Sequence, residues 1–83
     1  MQDFYHYFIR HTKQRAKERY DLNLEEGGYT KLNNYILMNY EHLERKNLSR
    51  SKSLIKVLWN NKFLNVIFSR RAKQILTILP KEK

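Results

Sequence analysis

The sequence predicts an all-α fold: one small domain over residues 1–83, built as a bundle of three to four helices. Three observations carry that expectation. Glycine occurs only at positions 27 and 28 and proline only at position 80, too few for an all-β chain with many tight turns. Apolar residues recur at helical spacing over both 2–21 and 29–46. Eighty-three residues make a single domain, and with 41% hydrophobic and 13% aromatic residues there is material for one core. The alternative is an α+β fold in which residues 54–68 form a hairpin.

Residues 2–21 read as the first helix. Phe4, Phe8, Thr12, Ala16 and Tyr20 recur every four residues, with Tyr5 and Ile9 beside them and Arg10, Lys13 and Lys17 on the opposite side. Gly27-Gly28 supplies the turn, since glycine enters left-handed backbone conformations without a Cβ penalty. Residues 29–46 form the clearest helix, with Tyr29, Leu32, Ile36, Asn39, Tyr40 and Leu43 along one face. Asn47 is its expected left-handed C-cap. "NLSRSKS" then reads as an inter-helix connection, with Ser49, Ser51 and Ser53 each able to cap a following helix.

Residues 53–68 admit two readings. As a helix, Ile55, Trp59, Phe63 and Ile67 stack at i, i+4, but Val57, Leu64 and Phe68 point elsewhere, so the helix is apolar nearly all round. As a hairpin turning at Asn60-Asn61, Ile55 faces Val66 and Val57 faces Leu64 on one side, while Lys56 and Asn65 pair on the other. Asparagine tolerates the positive φ that such a turn needs. Either way the segment reads mainly as core. Residues 69–79 read as a last helix, capped by Ser69, striped by Ala72, Ile75, Leu76 and Leu79, and stopped by Pro80, with 80–83 frayed.

The charge is divided by halves. Residues 1–44 carry six basic and seven acidic groups, a net −1; residues 45–83 carry eleven basic groups against Glu82 alone, a net +10. A field of that sign attracts phosphate backbones, anionic headgroups or acidic proteins. Solvated faces ordinarily mix both signs. The predicted nucleic-acid-binding set is therefore Arg45, Lys46, Arg50, Lys52, Lys56, Lys62, Arg70, Arg71 and Lys73. Arg50 and Lys52, and again Arg70 and Arg71, stand at expected helix N-termini, where backbone amides would add phosphate contacts. The expected function is DNA binding through the phosphate backbone. The alternatives are a regulator or inhibitor docking on an acidic protein partner and, third, binding at a membrane surface through an interfacial helix within 54–79.

Other chemistry finds little support. His6 and His11 are five apart, off the i, i+4 spacing of a zinc pair, and with His42 they read as surface or boundary residues. Glu25-Glu26 reads as a solvated pair in a turn, and two glycines are too few for a phosphate loop. Without cysteine there is no thiol nucleophile, thiolate site or disulfide. The six tyrosines read mostly as ring-in, hydroxyl-out core residues, Tyr29 and Tyr40 above all. Neither an enzyme nor a cofactor, metal or small-molecule substrate is expected. "MQDFYHYFIRHTK" does not read as a signal peptide, and no run reaches the ~20 apolar residues of a membrane span, so the expectation is a soluble, cytoplasmic protein.

Three pieces of the chain, "FYHY" at 4–7, "YTKLNNYILMNYEHL" at 29–43 and "IKVLW" at 55–59, together resemble the YozE-like family of small bacterial proteins. The resemblance implies a small helical bundle like a sterile-alpha-motif domain and favours helix at 55–59. It carries no catalytic motif.

Overall fold

A computed structural model describes residues 4–24 and 27–80, with side chains from Tyr7 onward. Its order is α1 (Phe4–Tyr20), α2 (Gly28–Asn39), a single 3₁₀ turn (Tyr40–His42), then β1 (Glu44–Asn47), β2 (Lys52–Trp59), β3 (Lys62–Ser69) and β4 (Gln74–Leu79). The strands form one antiparallel meander in the order β1-β2-β3-β4. The fold is α+β, and the expected all-α bundle of three to four helices, which the YozE-like resemblance also implied, is overturned.

The first helix forms where its stripe predicts. Thr12, Ala16 and Tyr20 are all buried. It ends at Asp21, which sits in the left-handed region at φ 50°, with its N–H bonded to Lys17 O. Leu22 and Leu24 in the following link also enter the core. Gly27, at φ 81°, starts the turn into α2, whose buried face is Tyr29, Leu32 and Ile36. The expected Glu25-Glu26 turn pair, the side chain of His6 and the frayed residues 81–83 lie outside the described residues.

Corrections begin at Asn39. The helix expected to run to residue 46 stops there, and after the 3₁₀ turn Leu43 is extended, at φ −89° and ψ 145°. Residues 44–47, "ERKN", have no apolar side chain to hold a helical face, and all four are exposed. They form a short edge strand, so Asn47 is no C-cap. The connection after it joins two strands, not two helices.

The hairpin alternative at 54–68 is the one that forms. Asn60 and Asn61, at φ 52° and 63°, make the two-residue turn. Ile55 pairs with Val66, Lys56 with Asn65 and Val57 with Leu64, the register that alternation predicts.

The helix expected at 69–79 is instead a turn and β4. Ser69 Oγ does accept the Ala72 N–H at 3.0 Å, as an N-cap would, but Lys73 enters the left-handed region at φ 57° and reverses the chain. Ile75, Thr77 and Ile78 are β-branched, which suits a strand beside β3. A shift in register at Ile67/Phe68 accommodates an extra residue of β4, so Ile75 and Ile78 both face the core.

Both helices lie on one face of the sheet. The core joins Ile55, Val57, Leu64, Val66, Phe68, Ile75 and Ile78 from the strands to the buried residues of α1, α2 and their link. The outer edge of β4 is closed by helix side chains. Tyr29 donates to Ile75 O at 2.7 Å, Asn33 Oδ1 accepts the Ile75 N–H at 2.8 Å, and Arg19 donates to Ile78 O at 2.7 Å. An edge strand left open would template aggregation, and these bonds occupy its free backbone groups.

Candidate nucleic-acid interface

In an antiparallel meander the β1–β2 connection and the β3–β4 turn fall at the same end of the sheet. That end gathers Arg50, Lys52, Arg70, Arg71 and Lys73, which lie up to 23 residues apart in sequence. Residues 45–80 contain no acid, so the end carries one sign of charge.

Arg70 builds this end and does not project from it. Its backbone N–H donates to Ser51 O at 2.6 Å. Its guanidinium donates to Asn47 Oδ1 at 2.5 Å, to Ser53 Oγ at 3.3 Å and to the Ser49 carbonyl. Ser53 is fully buried and also donates to Asn47 Oδ1 at 3.2 Å. Ser49 Oγ closes the connection by accepting the Lys52 N–H at 3.2 Å. One arginine thus ties both turns together and holds Arg50 and Arg71 on a common, ordered rim. Arg50, Lys52, Arg71 and Lys73 are all exposed.

The other predicted cations separate. Arg45 is spent within the fold: it donates to Tyr40 O at 2.8 Å, lies 4.6 Å from the Tyr40 ring centroid and has Glu41 at 3.9 Å. Lys56, between buried Ile55 and Val57, points to the sheet face away from the helices, and Lys46 shares that face because it pairs with Leu54. Lys62 is at the opposite end, beside the Asn60-Asn61 turn, half-buried and within electrostatic reach of Asp21. The helix N-termini expected beside Arg50 and Arg70 do not exist, since both residues sit in turns between strands.

Two features were left out of the predicted interface. One is a second basic strip on α1, where Arg10, Lys13 and Lys17 line a shallow groove with Gln14 and Asn23. The charge count by halves hid it, because the seven acids of residues 1–44, among them Asp21 paired with Lys17, cancel it in the sum. The other is Phe63, expected in the core but 62% exposed. Strict alternation along β3 would have shown this, since Leu64, Val66 and Phe68 are buried.

Glu18 and Asp21 are both held below the usual carboxylate range, Glu18 by hydrogen bonds from Gln14 and Arg15 and Asp21 by its bond from Lys17. Their negative charges pair with α1 cations and leave the turn end unopposed. Among the described residues no three His, Asp or Glu side chains are grouped to hold a metal ion, and no helix is long and apolar enough to cross a membrane. No protein-family model, curated protein or solved structure matches the chain.

Proposed function

We propose that this chain is a non-enzymatic nucleic-acid-binding protein that grips phosphates with the turn end of its sheet. One observation carries the reading: the meander places Arg50, Lys52, Arg71 and Lys73 together, and Arg70 fixes the turns that present them. Like charges so gathered repel one another. A polyanion neutralises them and releases its own counterions. The contacts are to the backbone and carry no base sequence by themselves.

The test is binding of fluorescein-labelled duplex and single-stranded oligonucleotides, followed by anisotropy. With roughly four phosphates engaged, affinity falls by about two orders of magnitude between about 50 and 200 mM salt. The pair Arg71→Glu and Lys73→Glu weakens binding to every sequence alike. Salt-independent binding, or affinity untouched by the charge reversal, rules the proposal out.

A second reading has its own observation. Leu37, Tyr40 and Phe68 form an apolar groove bordered by Arg70 and Lys73, and Met38 is 82% exposed on the same helix. An acidic protein with an apolar anchor would suit that groove. Pull-down of one acidic partner that survives nuclease treatment favours this reading over the first. Membrane-surface binding keeps less support, because the segment expected as an interfacial helix forms strands.

A further inference from the structure

We infer that the sheet face turned away from the helices carries single-stranded nucleic acid, with an unpaired base stacked on Phe63. The inference rests on the phosphate-binding reading above and names the form of nucleic acid it takes.

The face is set by alternation. Ser53, Ile55 and Val57 of β2 and Leu64, Val66 and Phe68 of β3 are buried under the helices, so Leu54, Lys56, Leu58, Phe63 and Ile67 are turned outward. Antiparallel sheets with one free face normally make that face polar. This one carries Phe63 directly opposite Leu58, 62% and 50% exposed respectively. Only the flexible Lys56 side chain reaches over the Phe63 ring, and both apolar side chains stay largely open to solvent.

The charge on the face matches a polyanion. Lys52 and Lys56 flank Leu54 along β2, and Lys46 of β1 pairs with Leu54 from the side. Glu44, opposite Lys56, is the one acid among the described strand residues. The lysines therefore continue the basic turn end along the sheet. Six residues at about 3.3 Å each put Leu58, and Phe63 across from it, about 20 Å from Lys52. The Lys56 ammonium ends 5.4 Å from the centroid of the Phe63 ring, so a phosphate held by Lys56 brings its base within reach of that ring.

A single strand fits this arrangement better than a duplex. An aromatic ring on an open sheet offers its π-face, and only unpaired bases have a free face to set against it. Lysines beside the ring track the backbone, as on other single-strand surfaces. Leu58, directly opposite Phe63, adds apolar surface beside the stacked base.

The test compares labelled oligo(dT) and oligo(rU) with a duplex of equal length, at low salt, on the full chain. Phe63→Leu keeps the apolar bulk and removes the π-face; Phe63→Trp enlarges it. Because Phe63 is exposed, both fold, which circular dichroism checks. The expected result is a loss of about fivefold or more in single-strand affinity for Phe63→Leu, little change for Phe63→Trp, and duplex affinity unaffected by either. Unchanged single-strand affinity in Phe63→Leu, with Arg71→Glu and Lys73→Glu still weakening it, overturns this inference and leaves the phosphate reading standing. Absence of binding to any oligonucleotide overturns both. Self-association measured by sedimentation, relieved by Phe63→Leu and unaltered by oligonucleotide, assigns the face to a second copy and overturns the inference as well.

Discussion

Arg70 shows how one side chain can change meaning between sequence and structure. In the chain it is a cation beside Arg71, equivalent to its neighbour. In the fold its planar fork reaches Asn47, Ser53 and Ser49 while its backbone holds Ser51. A lysine keeps the charge but offers only a point donor. Arg70→Lys is therefore expected to cost about 0.5–1.5 kcal/mol, since it gives up the paired hydrogen bonds to Asn47 and the Ser49 carbonyl while buried Ser53 keeps Tyr40 as a partner. Urea denaturation measures it, and Arg71→Lys, at an exposed turn position, stays within about 0.5 kcal/mol of the parent. His11 supplies a second expectation at this scale. It stacks on Tyr7 at 5.8 Å, and burial, followed by the charges of Arg15 and Arg19, keeps its imidazole below the ordinary value, with Glu18 pulling the other way. A group lowered in the folded state is protonated first in the unfolded one, so its contribution is present above the unfolded pKa near 6.5 and is lost as the pH falls through the lowered value. Denaturation midpoints at pH 7.5 and pH 5.5 should differ less in His11→Gln than in the parent; equal differences would remove His11 as the cause.

Among the elements, the β2–β3 hairpin was legible only as the alternative to a helix. Its alternation, its Asn60-Asn61 turn and even its register could be read directly. What kept the helical reading alive was that bulky apolar residues fall at both periods in a segment buried on one face and half-covered on the other. The turn itself can be improved. Asn61, at φ 63°, holds the position where glycine is favoured in such turns. Asn61→Gly is expected to be neutral to stabilising by about 0.5 kcal/mol, whereas Asn61→Val costs about 1–2 kcal/mol because a β-branched side chain resists positive φ. Thermal melts of the two variants would move in opposite directions, or for Asn61→Gly not at all. Residues 69–79 misled for a physical reason. A serine that accepts the N–H three residues on opens a helix and closes a tight turn equally well, and Ala72, Ile75, Leu76 and Leu79 have helical spacing by chance. The helix reading of 29–46 overran because Tyr40 and Leu43 do pack on the core, but from a 3₁₀ turn and an extended residue. The amphipathic stripe continued while the helix did not.

At the scale of the whole molecule, the sequence alone determined the helical start, with Thr12, Ala16, Tyr20, Tyr29, Leu32 and Ile36 turned inward, because helix periodicity is a local property of the chain. It also determined that positive charge accumulates after residue 44, because charge is additive and needs no fold. Tertiary structure decided the rest. Whether 69–79 coils or extends depends on β3 lying beside it with backbone groups to pair, and on Tyr29, Asn33 and Arg19 closing its other edge. Which cations remain free depends on hydrogen-bond partners brought from distant positions: Arg45 and Arg70 are consumed, while Arg50, Lys52, Arg71 and Lys73 stay exposed at one end. The exposure of Phe63 follows from strand alternation once residues 62–69 extend, and it is the pairing with β2 and β4 that makes them extend.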